Sequence, residues 1–144
     1  MSLFSIMSVG ASGMAAQRTR AELLAENLAN AETTRTPEGG PYRRKDAVFT
    51  SAPLTSPFAS AFSSEVQGMS GVSVSDIVTD KSDPERHYMP GHPDADADGY
   101  VAFPHVNPAE DMVDLMGAAR GYEANVASIS AAKDMIARSL DLLR

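Results

Sequence analysis

Apolar residues in the last third of the chain recur in two interleaved rows with a spacing of seven residues. The first row is Leu115, Tyr122, Ile129, Ile136 and Leu143, and the second is Met112, Ala119, Val126, Lys133 and Leu140. Rows of this kind form the contact surface of a coiled coil. Asn107, Pro108 and Glu110 supply an N-cap, a first-turn proline and the acidic residue of a capping box. The pattern therefore predicts one helix over residues 107–144. At about 1.5 Å per residue this helix is longer than a compact chain of this size is wide, so we expect it to need partners.

A weaker heptad pattern occupies residues 3–31. Its rows are Met7, Met14, Ala21 and Leu28, and Gly10, Gln17, Leu24 and Ala31. This pattern predicts a second long helix, with small residues where other helices can approach closely. Asn27 and Asn30 are poor residues for a helix interior, because their side chains compete for backbone hydrogen bonds. We expect them to bond to neighbouring segments or to mark the end of the helix.

The residues between the two helices show short alternating patterns that are typical of strands. Strands are predicted at residues 42–50, 72–78 and 100–103. Turn-rich runs are predicted at 33–41 and 80–98, and a linker rich in serine, alanine and proline at 51–70. The sequence thus predicts a mainly α protein whose long terminal helices pack as an antiparallel hairpin or coiled coil, with a small β-rich and loop insertion between them. Residues 1–34 and 107–144 would form one discontinuous helical domain, and residues 35–106 the insertion.

Composition and charge narrow the possible functions. The net charge of −7 disfavours nucleic-acid binding, and the absence of cysteine excludes disulfides and thiolate metal sites. No run of about 20 apolar residues is present to span a bilayer. No cleavable signal is visible, because the first basic residue is Arg18 and two glycines interrupt the apolar start. The chain would then stay in the cytoplasm unless a route without a signal exports it. We interpret the basic run at residues 43–45 as a solvated strand edge.

The segment that most resembles a metal-binding site is the acidic run between His92 and Gly99. Asp94, Asp96 and Asp98 match the opening of a calcium loop, but His105 stands where the twelfth-position carboxylate is expected. An acidic turn is the favoured interpretation. The three histidines match no common zinc spacing, and no nucleophile or phosphate-loop motif occurs. We expect no catalytic residue, no cofactor and no metal ion.

Three stretches together resemble the flagellar basal-body rod proteins. They are residues 25–34, with Ala-Glu-Asn-Leu-Ala-Asn; residues 90–104, with Pro-Gly-His-Pro-Asp-Ala-Asp; and residues 106–126, with Asn-Pro-Ala-Glu-Asp and Arg-Gly-Tyr-Glu-Ala-Asn. The first stretch is similar to a motif shared by rod, hook and related axial proteins. Residues 90–104 resemble a segment peculiar to one proximal-rod type, and residues 106–126 are similar to the C-terminal helix motif of the family.

The resemblance implies a structural rod subunit whose terminal helices stack into the inner tube of a hollow, torque-transmitting axle. It implies export through the flagellar type III apparatus without a cleavable signal, and a place in the periplasmic rod. The implied partners are copies of itself, other proximal and distal rod proteins, the hub protein that joins the rod to the membrane ring, and the export apparatus. The competing hypotheses are a soluble helical adaptor or export chaperone and, more distantly, a metal-dependent enzyme that uses the histidine and aspartate residues.

The candidate functional residues lie on the two heptad patterns and in the N-terminal motif. They are Met7, Gly10, Met14, Leu24, Asn27, Leu28, Asn30, Met112, Leu115, Ala119, Tyr122, Val126, Ile129, Ile136, Leu140 and Leu143. We expect them to form helix-packing interfaces. The simpler alternative to an interface between subunits is an intramolecular hairpin, in which the two helices of one chain bury these residues against each other.

Overall fold

The computed structural model describes residues 3–53 and 70–141 of the chain. Its elements are α1 (Leu3–Ala29), β1 (Lys45–Pro53), β2 (Ser70–Thr79), β3 (Glu85–Tyr88), β4 (Tyr100–Phe103) and α2 (Pro108–Asp141). Two long terminal helices and small antiparallel sheets between them confirm the predicted mainly α fold. Leu143 and most of the predicted linker, residues 54–69, lie outside the described residues. No helix in the described ranges is long and apolar enough to cross a membrane.

Polar side chains replace missing helical hydrogen bonds at the start of α2 and at the end of α1. The Asn107 side-chain oxygen accepts the N–H of Ala109 at 3.1 Å and, more weakly, that of Glu110 at 3.5 Å. The predicted N-cap of α2 is therefore confirmed. At the end of α1, the Asn30 side chain donates to the Glu26 carbonyl at 2.9 Å, and Asn30 O accepts the N–H of Thr33. Asn30 thus marks the end of the helix.

The two helices contact each other at positions whose order along the chain is reversed. Arg20, in the second half of α1, lies 3.4 Å from Asp114 near the start of α2. Gly10, nearer the start of α1, faces Ile129 in the second half of α2, where an added Cβ would lie 2.9 Å from Ile129 Cγ1. Three of the five buried apolar residues on the two helices are alanines, namely Ala16, Ala118 and Ala132. Small side chains at these positions let the two backbones come close together.

Strands β1 and β2 form an antiparallel ribbon that lies against α1. Their register runs from Lys45 opposite Thr79 to Pro53 opposite Ser70, and it shifts between Val48 and Phe49, where β2 carries one extra residue, Ser75. The predicted strand at 42–50 begins three residues later than expected. The reason is that the Tyr42 N–H bonds to the Thr33 carbonyl and not to β2.

Strands β3 and β4 form a second antiparallel pair, and β3 was not predicted. Its four residues are all exposed, so no apolar alternation identifies the strand in the sequence. Pairing with β4 defines it, and ring contacts between His87 and Phe103 and between Tyr88 and Tyr100 accompany the pairing. Val101 on β4 is fully buried.

Candidate functional site

The two heptad rows of α2 have different surroundings. In the first row, Leu115, Ile129 and Ile136 are half-buried, although Tyr122 is 41% exposed. Every described member of the second row is exposed. The residues that α2 buries are Asp111, Ala118 and Ala132, each one position before a member of the second row. One residue turns a helix by about 100°. The face of α2 that packs toward α1 is therefore rotated away from the contact surface that the two heptad rows predict.

The rotation leaves an apolar face of α2 without a partner among the described residues. This outer stripe consists of Met112, Met116, Ala119 and Val126, which follow one another at spacings that keep them on one side of the helix. Met112 is 53%, Met116 54% and Val126 41% exposed. Leu140 is exposed further along the same helix.

The candidate residues on α1 lie within the chain's own packing. Gly10, Leu24 and Asn27 are buried, while Met7, Met14, Leu28 and Asn30 are half-buried. The exposed positions of α1 form a separate row that contains small residues and a surface ion pair between Arg18 and Glu22. The apolar residues of α1 thus contribute mainly to the interior of the molecule, unlike the outer stripe of α2.

A buried polar junction fastens the end of α1 to the start of β1. The fully buried Asn27 side chain donates to the Lys45 carbonyl and accepts the Lys45 N–H, both at 2.9 Å. Its oxygen also accepts the Tyr42 hydroxyl at 2.9 Å. Burial, together with the nearby Glu26 carboxylate, raises the pKa of Tyr42 to about 12, so the hydroxyl remains a donor. Asn27 therefore satisfies both peptide groups of Lys45, as a residue of a neighbouring strand would.

An ion pair extends the junction to the first turn of α2. Asp111 is 1% exposed, and its Oδ1 lies 2.9 Å from a guanidinium nitrogen of Arg44. Burial raises the pKa of Asp111, while the charge of Arg44 opposes that shift. The interpretation of residues 43–45 as a solvated edge is therefore wrong for Arg44. Sequence reasoning missed the pair because Asp111 in a first helical turn already has a role beside the helix dipole.

The carboxylates of the acidic loop bond within the chain. Asp94 accepts the Thr34 hydroxyl at 2.9 Å and lies 3.5 Å from the Arg35 guanidinium. Asp96 Oδ1 accepts the backbone N–H of Asp98 and of Tyr100. Across residues 3–53 and 70–141, no group of three or more histidine or acidic residues is placed to hold a metal ion. The loop ties the segment after α1 to the β3–β4 pair.

Comparison with known proteins finds flagellar basal-body rod families at both ends of the chain. Residues 7–35 match the family described as flagella basal body rod protein, and residues 97–142 match the C-terminal family of flagellar basal body rod FlgEFG proteins. The chain is 41% identical to the flagellar basal-body rod protein FlgC of Borreliella burgdorferi, over 100% of the chain and 99% of that relative. It is 41% identical to FlgC of Bacillus subtilis over 99% of each chain. For FlgC of Salmonella typhimurium the identity is 35%, over 99% of this chain and 98% of the relative. The chain therefore belongs to the FlgC family of flagellar basal-body rod proteins.

Proposed function

We propose that this protein is a structural subunit of the flagellar rod whose outer stripe on α2 packs against a neighbouring rod subunit. Its family is one of structural rod proteins and not of enzymes. The observation that carries the proposal is the outer stripe itself, an apolar face on a 34-residue helix. Fully burying a side chain such as valine or methionine contributes about 1.5–3 kcal/mol. Three such side chains on one side of the helix therefore suit a helix in the next subunit.

The two terminal helices, in this proposal, form an antiparallel hairpin that acts as the axial unit. Residues 1–34 and 107–144 make one discontinuous helical domain, and residues 35–106 form an insertion attached to it. The reversed order of the α1–α2 contacts supports the hairpin. The polar junction and the Arg44–Asp111 pair support a rigid attachment of the insertion, because both tie it to the helices.

The candidate residues divide into two groups under this proposal. Those that hold the hairpin together are Met7, Gly10, Met14, Leu24, Asn27, Leu28, Asn30, Leu115, Ile129 and Ile136. Those that contact other subunits are Met112, Ala119, Tyr122, Val126 and Leu140. Exposure separates the groups, since every member of the second is exposed and no member of the first is.

The partners that we infer are copies of this chain and other rod proteins of the proximal and distal segments. The family supports assembly with basal-body rod components. We further infer contact with the hub protein that joins the rod to the membrane ring, passage through the flagellar type III apparatus without a cleavable signal, and a periplasmic location. These last inferences rest on the family resemblance of the sequence motifs.

A charge placed on the outer stripe tests the proposal. Val126→Glu puts a carboxylate in the proposed contact, where desolvating it opposes burial. Ala124→Glu is the matched control, since position 124 is exposed and lies about 160° around the helix from Val126. Both free proteins are expected to unfold like wild type. Losing RT ln 10 of binding free energy at one contact lowers the affinity tenfold. Isolated basal bodies should therefore contain at least about tenfold less of the Val126 variant than of wild type.

Two results of this experiment would contradict the proposal. Normal incorporation of Val126→Glu would show that the outer stripe is not an interface. Absence of the wild-type chain from isolated basal bodies would remove the rod function itself and favour an adaptor or export chaperone.

A further inference from the structure

The β1–β2 ribbon crosses α1 obliquely, which can be seen from the side chains that α1 contributes to its edges. The Ser12 hydroxyl accepts the N–H of Val72 at 3.0 Å, on the outer edge of β2. The Asn27 carboxamide bonds to both peptide groups of Lys45, on the outer edge of β1. Since α1 reaches opposite edges at its two contacts, one stretch of each edge extends beyond the helix.

The open stretch of the β1 edge begins directly after Lys45. The peptide groups of Lys45 point away from β2, because both bond to Asn27, whereas the Arg44 carbonyl accepts the N–H of Asp80 beyond the end of β2. Alternate residues of a strand direct their peptide groups to opposite sides. The N–H and C=O of Ala47 and Phe49 therefore point outward from the ribbon. No hydrogen-bond partner for them is found between residues 3 and 53 or 70 and 141.

A cavity of about 180 Å³ lies beside this open edge. Its lining combines Leu23 and Leu24 of α1 and Ala47 and Phe49 of β1 with the charged residues Arg20, Lys45 and Asp46. An apolar cavity of about 150 Å³ accommodates a benzene ring. The space is thus sufficient for one leucine- or phenylalanine-sized side chain.

We propose that this edge receives a short extended segment of a neighbouring rod subunit as a third strand, with one apolar side chain seated in the cavity. Asn27 shows which chemistry the edge binds, because its carboxamide is equivalent to a peptide group and bonds to Lys45 as a strand residue would. An incoming strand continues that pairing at Ala47 and Phe49. N–H and C=O groups that repeat every second residue, about 6.8 Å apart, match an extended backbone. This mode of binding is β-strand addition, in which the main chain gives affinity and a side-chain cavity gives selectivity.

The identity of the partner as a rod subunit rests on the proposed function, whereas the geometry of the edge does not. The two proposals also concern different surfaces, the outer stripe of α2 and the edge of β1. Variants at one surface therefore report on it separately from the other.

The decisive variant is Ala47→Pro in the full-length protein. Proline at 47 removes an N–H that points away from β2, so the β1–β2 ladder keeps its hydrogen bonds, as at edge positions generally. The matched control is Ala47→Gly, which retains the N–H. We expect both free proteins to stay folded by circular dichroism. Losing RT ln 10 of binding free energy lowers the affinity tenfold, so isolated basal bodies should contain at least about tenfold less of the proline variant than of wild type. The glycine variant should incorporate normally. Normal incorporation of a folded proline variant would overturn the proposal.

Amide hydrogen exchange of the wild-type protein provides a second measurement that does not depend on a variant folding. The N–H of Val48 points into the ladder and serves as the internal reference. The N–H of Ala47 is expected to exchange at least about tenfold more slowly in isolated basal bodies than in the free protein, since a strand partner would satisfy it. Equal exchange of Ala47 in both states would refute strand addition. The rod function would still stand if the wild-type chain is present in those basal bodies.

Discussion

Replacing Gly10 by alanine tests how closely the two helices approach. An added Cβ would lie 2.9 Å from Ile129 Cγ1 and 3.2 Å from Ile129 Cδ1, whereas carbon atoms prefer about 3.5–4.0 Å. The overlap forces Ile129 or a helix backbone to move, and overpacking of this kind costs about 1–3 kcal/mol. Alanine also stabilises the helix by about 1 kcal/mol relative to glycine. The net expectation is a loss of about 1 kcal/mol in the free energy of unfolding, by difference of these two terms.

The matched control is Gly117→Ala on α2, where no atom lies within 4 Å of the added Cβ. This variant has the same gain in helix propensity without the overlap. The difference between the two variants therefore isolates the packing contribution, at about 1–3 kcal/mol. In thermal unfolding this corresponds to roughly 2–4 °C per kcal/mol for a chain of nearly 150 residues.

Urea denaturation followed by far-UV circular dichroism gives the free energies directly. A double-mutant cycle with Ile129→Ala assigns the clash, since removing the isoleucine side chain should cancel most of the penalty at Gly10. The reasoning is refuted if Gly10→Ala is as stabilising as Gly117→Ala, because the helices would then be too far apart at this point to exclude a methyl group.

The polar junction and the acidic loop give three further predictions. Asn27→Asp should lower the free energy of unfolding by about 2 kcal/mol or more, because the Lys45 carbonyl loses its donor and a carboxylate is buried; Asn30→Asp, at a half-buried helix end, is the control, and equal losses in urea denaturation would contradict the assigned roles. For Asp111, whose pKa is raised in the folded protein, the stabilising contribution is fully present below the unfolded pKa of about 3.9 and is lost as pH rises through the folded value. Wild type should therefore lose stability relative to Asp111→Asn as pH rises above about 4, and a difference that does not change with pH would count against a raised pKa. Asp94→Asn should leave thermal stability equally insensitive to calcium and to a chelator in both proteins, and calorimetric calcium binding tighter than about 10⁻³ M would reverse that conclusion.

Local sequence patterns were sufficient to predict both helices and the start of α2. Asn107 followed by Pro108 identified the start of α2. These signals depend on residues within one turn of each other, so they require no knowledge of the tertiary structure. The N-cap is correct to the residue for that reason. For Asn27 and Asn30 the sequence left two roles open, and the structure shows one of each, a bond to a neighbouring segment at Asn27 and a helix end at Asn30.

The rotation of the buried face of α2 was not predictable from the same patterns. Counting apolar residues favours Met112 and Val126, which are large, over Asp111 and Ala118, which are polar or small. Close helix approach requires small residues, and burial of Asp111 depends on Arg44, which is 67 positions away in the sequence. Neither condition has a signal in the heptad pattern. Strand β3 was missed for a related reason, because its pairing with β4 defines it and none of its own residues is buried.

Among the described residues, the two ion pairs that reach α2 from elsewhere in the chain both lie near its first turns, and we expect this to make the helix pair mechanically unequal along its length. Charged and hydrogen-bonded contacts join residues 20–45 to residues 111–114, whereas the opposite end is held by contacts of Gly10 and Gly13 with residues 125 and 129. We therefore expect a pulling force on α1 from its N-terminal side to load the close contacts of Gly10 and Gly13 before it reaches the ion pairs. The junction at Asn27 is the last part to yield. The same asymmetry gives the subunit a stiff end, through which load passes into the β ribbon, and a compliant end that adjusts to its surroundings.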